Sequence, residues 1–111
     1  MPFELSKSEQ SGKYRIYLKA NNSQIILTGQ SYSQKQGAKN GIESIIKNTA
    51  DGDRQFERLT AKDGSPYFVL KAKNSEVIGT SQMYKSVSAM NKGIASVIKH
   101  AQEGKIKDLT V

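Results

Sequence analysis

The sequence predicts an α+β protein built from two tandem βββα repeats and a closing strand, with one antiparallel sheet and two helices on one face. The first observation is the repetition itself. Residues 12–52 align with residues 64–104 at an offset of 52 without a gap, and 16 of the 41 paired positions are identical. Unrelated segments of ordinary composition would match at about 2–3 positions. The second observation is that, in each copy, runs with the alternating pattern of strands are followed by a run with helical spacing.

The 111 residues divide into a first repeat, residues 1–52, and a second repeat, residues 53–111, which we expect to form one compact domain. A unit of about half that length is near the lower limit for a self-sufficient core, so the two repeats should share one hydrophobic interior. Solenoids usually need about three units or more, which is why two copies indicate a closed pair related by a pseudo-two-fold axis.

Alternating apolar and polar residues indicate the strands. Residues 3–6 form the first candidate and residues 14–20 the second. Their counterparts in the second repeat keep Phe68 and Leu70 inward. The outward side of the two longer strands carries six residues: Arg15, Tyr17, Lys19, Tyr67, Val69 and Lys71. Hairpin turns are predicted at four dipeptides, two of which use asparagine because it tolerates positive φ: Ser11-Gly12, Asn22-Ser23, Asp63-Gly64 and Asn74-Ser75.

After Tyr32 the apolar spacing changes to that of a helix. Ser33 is the predicted N-cap, with Gln36 three residues later in capping-box spacing. The second repeat has Tyr84 at the position of Tyr32, and we expect both rings to pack where the sheet meets the helix. The apolar stripes of the two helices consist of Ala38, Ile42, Ile45 and Ile46, and of Met90, Ile94, Val97, Ile98 and Ala101.

Gly41 and Gly93 lie inside the predicted helices, where each costs about 1 kcal/mol relative to alanine. Since the cost occurs in both copies, we expect each helix to approach the sheet or the other helix closely at this point.

One type of strand occurs three times, at residues 3–6, 56–60 and 106–110. The middle strand therefore closes the first unit and opens the second, which gives the order βββα-βββα-β. Consecutive hairpins favour antiparallel pairing, and two helices on one side leave the other face of the sheet open.

A characteristic set of residues occurs at 70–81, Tyr84, 91–97 and 108–110, and the first repeat carries the same outline at residues 18–23, Tyr32 and residues 40–45. In these residues the sequence resembles the YegP-like family of uncharacterised bacterial proteins. The resemblance covers nearly the whole chain and matches the subfamily with a duplicated domain. The resemblance implies tandem units that build a single sheet and swap their terminal strands. It implies no established activity and no catalytic residues.

The residues that carry chemistry are few. There is no cysteine, which excludes disulfides, thiolate nucleophiles and cysteine-ligated zinc. The only histidine, His100, is matched by Asn48 in the first repeat, and the C-terminus of a helix is a sufficient structural reason for a cationic side chain there. The acidic residues are scattered, so no metal site is predicted, and no glycine-rich phosphate loop occurs. We expect no cofactor and no enzyme.

The net charge of +7 comes from 17 basic and 10 acidic residues spread evenly over both repeats. It is compatible with simple solubility or with a polyanionic partner. The outward sheet face suggests one candidate binding surface, formed by Arg15, Tyr17, Lys19, Tyr67 and Lys71. If the two strands are neighbours, tyrosine rings could stack on bases while cations hold phosphates.

Two functions therefore stay open: a non-catalytic structural or protein-interaction module of the YegP-like type, and a nucleic-acid-binding module that uses this face. The sequence begins without the pattern of a signal peptide and has no apolar run of the roughly 20 residues that a membrane span needs. We expect a cytoplasmic monomer with no membrane contact, because the second repeat supplies internally what a partner subunit would otherwise provide.

Overall fold

The computed structural model describes residues 2–110. Seven strands and two helices follow one another in the predicted order: β1 (Phe3–Lys7), β2 (Tyr14–Lys19), β3 (Ile25–Tyr32), α1 (Lys35–Thr49), β4 (Phe56–Thr60), β5 (Pro66–Lys71), β6 (Val77–Thr80), α2 (Val87–Glu103) and β7 (Ile106–Asp108). The α+β class and the tandem repeat are confirmed.

The strands form one sheet in the order β4-β5-β6-β3-β2-β1-β7. Its centre is the antiparallel pair β3–β6, in which Thr28 lies opposite Thr80. These two threonines are equivalent under the offset of 52, so the pseudo-two-fold axis passes between them. The terminal strands are exchanged between repeats: β4 follows α1 but pairs with β5, and β7 follows α2 but pairs with β1.

One strand departs from the predicted antiparallel sheet, because β7 runs parallel to β1 and makes the sheet mixed. The similarity among the strands at residues 3–6, 56–60 and 106–110 carries no information about direction. A hairpin forces antiparallel pairing, whereas β7 follows a helix that carries the chain across the sheet, and such a crossover permits a parallel neighbour.

Both helices cover the same face of the sheet and contact each other. Their buried stripes include Ile42 and Ile45 in α1 and Ile94 and Val97 in α2, as predicted. The inward residues of the strands, such as Ile16, complete a single core. Because α1 contacts β5 and β6 as well as β2 and β3, the core is shared between the repeats.

The predicted cap of α1 is wrong by one residue. The N-cap is Gln34, which is extended and makes no side-chain capping bond, while Gln36 donates to Asn40 instead of closing a capping box. At the equivalent position of α2, Ser86 accepts a hydrogen bond from the Ala89 amide at 3.0 Å. The cap position is thus the same in both repeats, but only the second repeat has a capping side chain there.

The hairpin turns lie where they were predicted, with a different division of roles. Ser23 and Ser75 take the positive φ values, 67° and 72°. The preceding asparagines stabilise the turns through their side chains, since Asn22 accepts from the Gln24 amide at 3.0 Å and Asn74 accepts from the amide two residues later at 3.1 Å.

The glycines inside the helices make room for tyrosine rings. A Cβ atom at Gly41 would overlap the hydroxyl end of Tyr32, and one at Gly93 would overlap that of Tyr84. Burial raises the pKa of both phenols above the ordinary value of 10.0. The expected close approach therefore occurs between helix and sheet, at equivalent places in both repeats.

We expect Gly41→Ala to destabilise the protein by about 1–3 kcal/mol, because overpacking against Tyr32 outweighs the gain in helix propensity. Gly37→Ala is the matched control in the same helix. Its Cβ would meet Tyr32 at 3.4 Å, an ordinary contact, so this variant should gain up to about 1 kcal/mol. Urea unfolding measures both free energies. Equal effects of the two substitutions would contradict the steric explanation.

An ion pair ties β7 to the rest of the fold. The Nζ atom of Lys35, at the start of α1, lies 2.8 Å from a carboxylate oxygen of Asp108. The same carboxylate accepts hydrogen bonds from the backbone and hydroxyl of Thr110. The bond from Lys35, with those from Thr110, holds the pKa of Asp108 well below its usual range.

Asp108 should therefore stabilise the fold only where its carboxyl is ionised. Since the folded pKa is depressed, its contribution is complete above the pKa of the unfolded chain, about 3.9, and is lost as the pH falls toward the folded pKa. We expect Asp108→Asn to lower the free energy of unfolding at pH 7 and to lose part of this effect by about pH 3. In a Lys35→Gln background the substitution should cost less. An effect of equal size at both pH values would show that the charge is unimportant.

Candidate functional site

The structure places the five predicted face residues on the open side of the sheet, but in two separate groups. Arg15, Tyr17 and Lys19 lie on β2, while Tyr67 and Lys71 lie on β5. Because β3 and β6 lie between these strands, the groups are three strand spacings apart, roughly 14 Å. The sequence analysis made a joint aromatic and basic surface conditional on neighbouring strands, and that condition is not met.

The lysines of this face are already paired. The Nζ atom of Lys19 lies 3.0 Å from a carboxylate oxygen of Glu4, and that of Lys71 lies 2.9 Å from Glu57. The two ion pairs are equivalent in the repeats, and each joins a lysine to the next strand outward. The guanidinium of Arg15 lies 5.9 Å from the centre of the Tyr17 ring. The face therefore offers less positive charge than its sequence suggests.

Val69, predicted to point outward, is nearly buried with 6% exposure. It lies opposite Glu57 on one side and Thr80 on the other, and it does not belong to the core cluster beneath the helices. The open face of the sheet thus contains one packed apolar side chain, Val69. The alternating pattern alone could not distinguish it from an exposed valine.

His100 lies inside α2 and is 6% exposed. Its Nδ1 atom is 2.8 Å from the Ser96 carbonyl, which fixes this nitrogen as the donor because a carbonyl can only accept. Its Nε2 atom is buried without a hydrogen-bond partner among the described residues. Asn48 makes the equivalent bond to the Ser44 carbonyl, also at 2.8 Å. His100 therefore makes the same hydrogen bond within its helix as the side-chain amide of Asn48 makes in the first repeat. The sequence suggested a different reason for this histidine, a favourable positive charge at the helix C-terminus.

Within residues 2–110, no group of three or more histidine, aspartate or glutamate side chains could hold a metal ion. Neither helix formed by these residues has the length and hydrophobicity that a membrane span requires.

A basic cluster was missed by the sequence analysis. Lys47, Arg54 and Lys73 line a cavity of about 90 Å³ beside the end of α1, together with Asp51. None of the three cations forms an ion pair within the described part of the chain. Lys73 lies on the hairpin between β5 and β6, distant in sequence from Lys47 and Arg54, so only the fold brings it beside them.

The most distinctive surface is the outer edge of β4, at one end of the sheet. The Lys71 amide donates to the Gln55 carbonyl at 2.9 Å, and the Ala61 amide donates to the Ser65 carbonyl at 2.8 Å. Backbone groups alternate in direction along a strand, so those of Glu57 also face β5. The N–H and C=O of Arg58 consequently point away from the sheet.

On β1 the equivalent outward backbone groups are hydrogen-bonded to β7 and its flanking residues. Phe3 and Leu5 correspond to Phe56 and Arg58, and their backbone groups face β7. The Phe3 amide donates to the Lys105 carbonyl at 3.0 Å, and the Leu5 carbonyl accepts from the Leu109 amide at 2.8 Å. The two edges of the sheet are thus equivalent by symmetry, but residues 2–110 supply a covering strand for one of them only.

Side chains around the uncovered edge also differ from their counterparts. Arg58 replaces the buried Leu5, and its guanidinium contacts Asn91 at 2.9 Å and Asp53 at 3.5 Å. Val87, with 59% exposure, replaces Lys35, the residue that binds β7. A cleft of about 490 Å³ begins beside β4 and is lined by Arg54, Gln55, Phe56, Glu57, Arg58, Lys71, Ala72, Lys73 and Ser75. Its counterpart at β1 includes Lys105 and Lys107, which β7 and the residue before it contribute.

Comparison with known proteins agrees with this two-repeat architecture. A family model described as a domain of unknown function (DUF1508) matches residues 9–55 and again residues 61–108. The chain belongs to this family. A UPF0339 protein of Acinetobacter baylyi is 49% identical over 108 residues, which cover 97% of this chain and 96% of that protein. The UPF0339 protein YegP of Yersinia pestis is 44% identical over 109 residues, covering 98% and 96%. The YegP-like resemblance is therefore confirmed.

Solved structures of family members have the same fold. The solution NMR structure of a UPF0339 protein from Shewanella oneidensis matches with a TM-score of 0.88 and 44% identity, covering 98% of this chain and 92% of that one. The solution NMR structure of yegP from E. coli, described as a protein of unknown function, also has a TM-score of 0.88, with 41% identity and coverage of 96% and 90%. None of these names assigns a reaction or a ligand.

The direction of the backbone groups on β4 is testable with proline. Arg58→Pro removes an N–H that faces outward, whereas Glu57→Pro removes one that faces β5. We expect Glu57→Pro to lower the free energy of unfolding by at least about 2 kcal/mol more than Arg58→Pro. Arg58→Ala, measured in the same urea titrations, separates the loss of the guanidinium contacts from the effect of proline. The opposite order of stability would place the outward groups at Glu57 instead.

Proposed function

We propose that this chain is a non-catalytic, monomeric, cytoplasmic module that binds another protein by accepting an extended segment along β4. The observation that carries this proposal is the inequality of the two sheet edges: β7 covers β1, and nothing among the described residues covers β4. An exposed strand edge presents unpaired N–H and C=O groups, and adding a strand there is a common way to bind an extended peptide.

The distribution of chemical groups supports a binding role over a catalytic one. His100, the only histidine, is bonded within its own helix, and its free nitrogen is buried. A general base must reach the proton that it abstracts, and this nitrogen has no access to a substrate. Asp108, the acidic residue with the strongly depressed pKa, is bonded to Lys35 and Thr110.

Association of two copies through β4 is disfavoured by charge, which supports a monomer. In an antiparallel β4–β4 pair related by a two-fold axis, the register centred on Arg58 places this residue opposite itself. The register centred on Glu57 does the same for the glutamate. Like charges directly opposite one another destabilise strand pairing, so the edge favours a different partner.

Nucleic-acid binding is the second candidate, and one specific observation favours it. The cluster of Lys47, Arg54 and Lys73 is free of ion pairs within residues 2–110 and surrounds a small cavity. The sheet face supports it less, since Lys19 and Lys71 are neutralised and the tyrosines Tyr17 and Tyr67 lie on separated strands.

Capture from native bacterial lysate by the immobilised chain tests the proposal. We expect at least one protein to be retained by the wild type and by Arg58→Ala, and to be lost with Arg58→Pro, because only proline removes the outward N–H. Tyr67→Ala, on the open face, is a further control that should keep the partner.

The same preparation separates the two candidates. Fluorescence anisotropy with single-stranded DNA and RNA at low salt should show no binding up to tens of micromolar. Binding that weakens steeply with salt and that is lost in Tyr17→Ala with Lys71→Glu would favour the open face as a nucleic-acid surface. Loss in Arg54→Glu with Lys73→Glu would favour the basic cluster. Either result, without a partner sensitive to Arg58→Pro, would contradict the proposed function.

A further inference from the structure

We infer that the segment accepted at β4 runs parallel to this strand and places an apolar, a basic and an acidic residue opposite Phe56, Glu57 and Arg58. This inference rests on the proposed function and specifies its partner. It follows from two observations: the way in which β7 covers β1, and the charges that distinguish β4 from β1.

The inferred direction is that of the strand which binds the equivalent edge. β7 runs parallel to β1, with Ile106 opposite Phe3 and Asp108 opposite Leu5. The bonds that hold β1 to β2 recur between β4 and β5, because the Lys19 amide donates to the Pro2 carbonyl as the Lys71 amide donates to the Gln55 carbonyl. The outward groups of β4 therefore have the spacing and phase of those that bind β7 on β1, except that the Phe56 amide already donates to the Asp53 carbonyl at 3.1 Å.

The order of side chains follows from the register. The residue opposite Phe56 adjoins a largely buried ring and should be apolar, as Ile106 is opposite Phe3. The next residue lies beside Glu57 on the open side of the sheet and should be basic, as Lys107 is opposite Glu4, although both glutamates also contact a lysine of the neighbouring strand. The third lies beside Arg58 on the helix side and should be acidic. The sequence Ile106-Lys107-Asp108 has this order; at β1 its Asp108 lies beside Leu5 and is bound by Lys35 from α1.

Each of the two equivalent edges has a cationic side chain beside it, but a different element of the fold supplies this side chain at β1 and at β4. On β1 the cation that binds Asp108 is Lys35, from α1. The equivalent residue of α2 is Val87, which is apolar and exposed. At β4 the cation comes from the strand itself, as Arg58, whereas the corresponding residue of β1 is the uncharged Leu5. An acidic residue of the incoming segment would share the Arg58 guanidinium with Asp53, whose carboxylate lies 3.5 Å from it, whereas Asp108 contacts Lys35 at β1.

A peptide with residues 104–110 of this chain, acetylated and amidated, is a suitable probe. It is titrated into the ¹⁵N-labelled full-length protein while amide shifts are recorded. We expect the largest shifts at Phe56–Thr60 and at Val87, and no binding to Arg58→Pro. A second peptide, in which Lys107 and Asp108 exchange places, has the same composition and should bind about tenfold more weakly, because two attractive cross-strand pairs become repulsive. The double variant Glu57→Lys with Arg58→Glu should reverse this preference.

A spin label at the N-terminus of the probe determines its direction. Parallel addition brings the label to the Phe56 end of β4 and should broaden the amides there, whereas antiparallel addition would broaden those near Thr60. Broadening near Thr60 would overturn the inferred direction.

Three other results would also overturn the inference. They are equal affinity for the two peptides, shifts at β1 and β7 alone through exchange with the chain's own strand, and no shift at β4 up to about 1 mM of peptide. The proposed function is judged separately by the lysate experiment. A protein captured by the wild type and lost with Arg58→Pro would support edge binding even if these peptides failed.

Discussion

Among residues 2–110, two residue pairs in register, Thr28–Thr80 and Gly29–Gly79, join the halves of the sheet, so the fold depends on what covers this junction. The helices do this together. α1 lies against strands of both repeats, as α2 does, and the helices contact each other over the sheet. Neither the half with three strands nor the half with four could bury its helix without the other, since a small unit has too little interior of its own. The shared core is therefore what makes two weakly connected half-sheets a single structure.

The same junction explains why symmetry is nearly complete inside the protein and incomplete at its rim. Core positions must match across the axis, so Gly41 and Gly93 admit the rings of Tyr32 and Tyr84 in the same way. The outer strands lie far from the axis and are free of this constraint. There β7 covers β1, and no other strand among residues 2–110 covers the equivalent edge of β4.

Much of this fold is predictable from local patterns, because alternation and helical spacing report directly on which side chains are buried. The offset of 52 located the repeats, and the glycines inside the helices correctly indicated close packing. Three features depend on contacts that are distant in sequence. They are the parallel direction of β7, the separation of Tyr17 from Tyr67 by two strands, and the pairing of Lys71 with Glu57. The candidate site at β4 was missed for the same reason: a strand pattern does not reveal whether the strand has a neighbour on each side.

A fused pair of repeats can change its two edges independently, which identical subunits of a symmetric dimer cannot do. The differences between β1 and β4 fit this freedom. Leu5 is buried in the core on a strand that β7 covers at its edge, whereas its counterpart Arg58 is charged and exposed. Lys35 binds β7, whereas its counterpart Val87 has no such role. Charges on an edge strand also discourage unwanted pairing with other sheets. Arg58 and Glu57 can therefore have two effects: they repel a second copy of β4, and they attract a segment of complementary charge. Selectivity at this edge then comes from side chains, while the backbone groups that any strand could bind supply the affinity.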